Sequence, residues 1–142
     1  MKNDIFYNEV LIDHNLHPLH KEELEDANLV LEGVNPSCGD EIIIQMKVKD
    51  NIIENAAFTG VGCAVSMAST DIMVDMIIGK EKDEALHLAE LFLKMIRGEA
   101  SRDEVEELDE AGVLQDISHM PSRVKCAVMC WHTAKQMLTD LS

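Results

Sequence analysis

Basic residues are scarce in this chain. Twelve lysines and arginines face 27 aspartates and glutamates, a formal net charge of −15. Such a surface repels both a duplex phosphate backbone and an anionic bilayer face, so nucleic acid and membrane are excluded as partners. Long apolar runs are also missing: no stretch approaches the roughly 20 residues that span a bilayer. Met1–Tyr7 shows no basic segment followed by an apolar run, so no secretory signal is expected and the location reads as cytoplasmic. Aromatics make up only 4% of residues, and nine methionines take over some of their filling role.

What is present suits one compact domain over residues 1–142, since 46% of the chain is apolar. Ile5, Phe6, Val10 and Leu11 have helical spacing, which predicts a helix over Asp4–His14 that ends before Pro18. Leu24–Val34 begins polar and turns extended near Leu29–Leu31. Glu41–Lys49 alternates, with Ile42, Ile44, Met46 and Val48 on one face. Asp50-Asn51 is a two-residue hairpin turn, because both types tolerate positive φ, and Ile52–Thr59 returns as the partner strand.

After Gly60-Val61-Gly62-Cys63 the period becomes helical. One helix covers Ala64–Ile78, closed by Gly79. Asp83 is expected to cap a second, whose stripe is Ala85, Leu88, Ala89, Phe92, Met95 and Ile96, ending at Gly98. Ser101 and Glu104 have capping-box spacing for a short acidic helix through Leu108, and a last helix runs from about Arg123 to Leu141. Strands first and helices after predict an α+β fold: a three-stranded antiparallel sheet with helices on one face.

With no secretory signal, four cysteines point to buried apolar side chains or to metal and sulfur chemistry rather than disulfides. Cys38 lies in the turn Asn35-Pro36-Ser37-Cys38-Gly39-Asp40, where an irregular backbone can aim thiol and carboxylate at one point, a pairing that suits zinc. An incidental turn is the alternative. Cys63 opens a helix, where free N–H groups favour a thiolate; a small buried packing residue is the alternative. Cys126 and Cys130 stand one turn apart on the last helix. Cys130 falls inside the apolar face with Ala127, Trp131, Ala134, Leu138 and Leu141, whereas Cys126 falls at its edge and is the candidate reactive thiol; the alternative is that both bind one metal, since residues i and i+4 share a helical side.

The histidines show no ligand spacing with a cysteine. His14, His17 and His20 straddle a helix end, His87 points away from its stripe, and His132 is turned from Cys126. No His-Glu-x-x-His pattern supports a zinc hydrolase, and the Cys-x-x-Cys knuckles of a structural zinc module are missing.

Three segments in order resemble the U-type iron–sulfur cluster assembly scaffold family. They are Asn35-Pro36-Ser37-Cys38-Gly39-Asp40, then Gly60-Val61-Gly62-Cys63-Ala64 with Ser66 and Ala68-Ser69, then Arg123-Val124-Lys125-Cys126-Ala127 with Trp131. Tyr7, Asp13-His14 and Pro18 resemble its opening. Lys125 replaces the histidine of the IscU branch, and 62 residues separate Cys63 from Cys126, so the chain looks like the SufU branch with Ser101–Asp116 as its extra segment.

The resemblance implies the three-stranded sheet with the cysteines gathered at one end, metal ligands Cys38, Asp40, Cys63 and Cys126, and sulfur acceptance on Cys38. It further implies Zn2+ in the isolated protein, a labile iron–sulfur cluster as cargo, a SufS-like cysteine desulfurase as partner, and downstream assembly or acceptor proteins. Two roles share these residues: a scaffold on which a cluster is built, and a zinc-dependent sulfurtransferase that relays persulfide sulfur. Lys125 leans toward the second.

Overall fold

The computed structural model describes residues 9–36 and 38–141. Residues 4–8 of the expected first helix, including Tyr7, and Ser37 of the first cysteine motif lie outside the described residues. Helix α1, Glu9–Leu16, follows and stops ahead of Pro18.

Strands β1 (Leu29–Asn35), β2 (Asp40–Lys49) and β3 (Ile52–Val61) form one antiparallel sheet in the order β1-β2-β3. Leu31, Ile44 and Phe58 stand side by side across it, as do Gly33, Ile42 and Gly60. The period-2 pattern sends Ile42, Ile44 and Met46 into the core. The β2–β3 turn has φ of 53° at Asp50 and 65° at Asn51, both left-handed, as the sequence required. A bulge between Lys47 and Val48 restores register behind it.

Four further helices follow: α2 (Ala64–Ile77), α3 (Lys82–Ile96), α4 (Arg102–Glu107) and α5 (Pro121–Thr139), with a 3₁₀ helix at Asp109–His119. Helix α5 lies on β1 and β2, and α2 lies on β3 and packs against α5, so both cover the same sheet face. Helix α3 adds an outer layer on α5, where Phe92 and Trp131 stack at 4.3 Å between ring centres. The fold is α+β, as expected.

Local expectations changed at three places. Helix α3 is capped by Glu81 rather than Asp83, because the Lys82 N–H donates to Asn51 O at 2.7 Å and fixes the entry earlier. Asp83 sits instead in the first turn, where negative charge complements the helix dipole. Helix α5 starts at Pro121, a residue that lacks the N–H a first helical position leaves unbonded anyway. Beyond the capping box of Ser101 and Glu104, which forms as read, the chain continues as the 3₁₀ helix and buries Ala111, Leu114 and Ile117. Among the described residues, no helix is long and apolar enough to cross a membrane.

Candidate metal centre

The turn from β1 to β2 carries Cys38 and Asp40. Gly39 adopts φ of 70°, which side chains resist, and this lets the chain reverse within two residues. Asp40 is the first residue of β2 and is fully buried at 0% exposure. An isolated carboxylate there would be costly, so its bonds matter. The Cys63 N–H donates to Oδ1 at 2.8 Å, and Asn35 Nδ2 reaches Oδ2 at 3.4 Å.

Cys63 is the N-cap of α2, and its sulfur accepts from the Ser66 N–H at 3.4 Å. Gly62 precedes it for a steric reason: a Cβ there would lie 2.9 Å from Asp40 Oδ1 and 3.3 Å from Ser66 Oγ. Cys126 enters from the first turns of α5. Its Sγ donates to Cys38 Sγ at 2.8 Å and receives a long bond from Asn35 Nδ2 at 3.7 Å.

One sulfur of Cys38, one oxygen of Asp40 and the sulfur of Cys126 lie within 4.8 Å of one another. Among the described residues they are the group placed so that it could hold a metal ion, and they gather at one end of the sheet. Cys63 Sγ stands outside that set, turned to cap α2, although its side chain also bonds Cys126. Cys38 alone of the three is half-buried; Asp40 and Cys126 are closed off.

Burial pushes the Cys126 thiol well above its ordinary pKa, and hydrogen bonds to Cys38 and Cys63 push it further. A proton retained on a thiol amid sulfur and carboxylate is what a divalent cation displaces. Soft sulfurs with one hard oxygen fit zinc and thiophilic iron, so these residues suit the metals the sequence suggested. Arg123 bonds Cys126, with Cys63 and Cys38 close by, and this keeps its guanidinium pKa raised.

Helical spacing placed Cys126 at the edge of the apolar face, yet it is 0% exposed. The walls that cover it come from the β1–β2 turn, which a helical wheel does not contain. Cys130 is a core residue as read: burial lifts its pKa to about 11, and it lies 3.6 Å from Ser69 Oγ. Ser69 spends its only proton on Ala127 O at 2.7 Å, so the Cys130 thiol is the donor there.

The histidines do not converge. His14 bonds Asp71 and Glu110, and His20 bonds Asp75. His87 meets Glu107 near the surface. Sequence reasoning quoted Asn35, Ser66 and Arg123 only as motif members; their signal was proximity to a cysteine in each motif.

The model of the NifU-like N-terminal domain family matches residues 6–141. The chain is similar to the iron–sulfur cluster assembly scaffold protein IscU of Thermotoga maritima, 38% identical over 138 residues, covering 97% of this chain and 96% of that one. It is similar to the zinc-dependent sulfurtransferase SufU of Bacillus subtilis, 38% identical over 128 residues, covering 90% and 86%. Its fold matches the crystal structure of a proposed iron–sulfur cluster assembly scaffold protein of the SUF system from Fervidobacterium islandicum AW-1. That match has a TM-score of 0.85 at 33% identity, over 97% of this chain and 99% of the other.

Proposed function

The chain belongs to the NifU-like N-terminal family, the U-type iron–sulfur cluster assembly scaffolds, and from that premise we propose that it accepts sulfur on Cys38 for cluster assembly. The observation that carries this reading is the convergence of Cys38, Asp40 and Cys126, of which Cys38 alone is open to a partner; Cys63 is equally half-buried, but its sulfur is turned to the start of α2. We take residues 1–142 as one such domain, working in the cytoplasm with a SufS-like cysteine desulfurase and passing its product to downstream assembly or acceptor proteins.

In the proposed step, the Cys38 thiolate attacks the outer sulfur of the donor's persulfide. The S–S bond of the donor breaks, its cysteine leaves as a thiolate that takes up the proton Cys38 lost on ionising, and Cys38 becomes the persulfide. Cys38 sits on a turn rather than inside a helix, so it can move toward the donor while Asp40, Cys63 and Cys126 stay fixed. Those four residues would hold Zn2+, which when bound keeps the thiols deprotonated. Asp40, the one oxygen donor, is the ligand easiest to exchange. An iron–sulfur cluster on the same thiolates would be cargo.

A second reading, relay of sulfur without cluster building, is supported by Lys125 beside Cys126 and by the similarity to a zinc-dependent sulfurtransferase. An anaerobic mixture with a cysteine desulfurase, cysteine and ferrous iron tests both. Mass spectrometry is expected to find one extra sulfur on Cys38. A labile cluster absorbance identifies the scaffold, and persulfide with retained zinc and no cluster identifies the relay. A Cys38→Ser chain that still accepts sulfur defeats both.

A further inference from the structure

Ser66 stands at the third position of α2, with Cys63 as the cap. In a capping box the third residue reaches back to the cap's N–H. Here that N–H is already taken by Asp40 Oδ1 at 2.8 Å. The hydroxyl of Ser66 is therefore left without a partner, and the residue is only 1% exposed. Buried hydroxyls are rarely left so, and each such group calls for a reason.

Its surroundings supply one. Ser66 Oγ lines the small space over Gly62 that Asp40 Oδ1 also lines. Ser66 N already points at the Cys63 sulfur. A neutral thiol is a weak acceptor, whereas a thiolate accepts strongly. Rotation between staggered positions about the Cα–Cβ bond is the freedom the hydroxyl has.

We infer that Ser66 is a positioning residue of the centre, whose hydroxyl donates to the Cys63 sulfur when Cys63 serves as a metal ligand. The inference rests on the ligand set proposed above. The unpaired hydroxyl is then a cost carried by the metal-free form and relieved in the loaded form, so it biases the chain toward holding metal. Cys63 then stays the cap of α2 through the Ser66 N–H and becomes a ligand with two donors on its sulfur.

Cobalt(II) titration of the full chain tests this. The wild type is expected to show a thiolate-to-cobalt charge-transfer band that Cys63→Ser alters. Ser66→Ala is expected to weaken cobalt and zinc binding about tenfold in chelator competition, the lower end for loss of an outer partner of a ligand. Its band should move to longer wavelength, because an unbonded thiolate holds its electrons less tightly. The metal-free melting midpoint of Ser66→Ala should stay level or rise, and Ser66→Thr should restore affinity and band. A Ser66→Ala chain with wild-type affinity and band overturns the role of Ser66 alone. The same variant melting lower without metal, with its band unmoved, reduces Ser66 to a structural residue. A wild-type band absent, or indifferent to Cys63→Ser, overturns the ligand set and this inference with it.

Discussion

Helix α2 carries polar chemistry at two levels, Cys63 at its start and Asp71 about 12 Å further along. At the upper level the groups are poorly matched. Two thiols crowd each other at 2.8 Å, the buried Asp40 has one good donor, and Ser66 Oγ has no partner. At the lower level every group is matched. Asp71, 0% exposed, accepts from His14 Nδ1 at 2.5 Å, the His20 N–H at 2.9 Å and the Leu19 N–H at 3.1 Å. His14 Nε2 meets Glu110 at 2.6 Å, so both ring nitrogens face carboxylates, an arrangement that favours the charged imidazolium and raises the pKa of the ring. The lower cluster ties α1 and the 3₁₀ helix to α2. Satisfied polar groups hold a fold together, and mismatched ones wait for something to bind.

The comparison breaks first at Asp71. Asp71→Ala leaves the buried His14 ring and two N–H groups without their acceptor, and should cost about 3–5 kcal/mol of metal-free stability in urea unfolding. Zinc affinity of the folded fraction should stay within about threefold, since the two levels share no partner. An unchanged midpoint would show that the lower cluster contributes nothing.

A smaller contrast separates the two cysteines of α5. Cys126→Ala should lose metal by more than the roughly 100-fold that an outer partner is worth, with metal-free stability barely moved. Cys130→Ala should do the reverse, losing about 1 kcal/mol of stability from the core and keeping its metal. Both are read by chelator competition beside thermal melts; equal metal loss in the two would place Cys130 in the centre.

The smallest effect lies in pH. Burial alone would lower the His14 pKa, but hydrogen bonds to Asp71 and then Glu110 raise it above the ordinary 6.5. A raised folded value means its stabilisation is complete below about pH 6.5 and fades as pH climbs through the folded value. The advantage of wild type over His14→Gln in metal-free melts should therefore shrink toward alkaline pH. An advantage growing with pH would reverse the sign assigned to the cluster.

The sheet was legible because β2 alternates cleanly and Asp50-Asn51 names its own turn. Cys38 and Asp40 were legible because a turn joins them within three residues. The pair His14–Asp71 was not, since 57 positions separate its members and a lone histidine announces no partner. Burial of Cys126 depends on a turn some 88 residues away, beyond the reach of one helix's periodicity. The 3₁₀ helix did leave a trace: Leu108, Ala111, Leu114 and Ile117 recur every third residue, its own period rather than that of an α-helix.

That 3₁₀ helix has a consequence for the order in which the molecule opens. Its eleven residues far exceed the three or four such geometry usually sustains, and its hydrogen bonds are the weaker kind. Its amides should exchange with solvent ahead of those in α2, as a low-energy opening unit. Because Glu110 belongs to it and grips His14, α1 should loosen in the same event, while β2, β3 and α2 keep the cysteine turn closed.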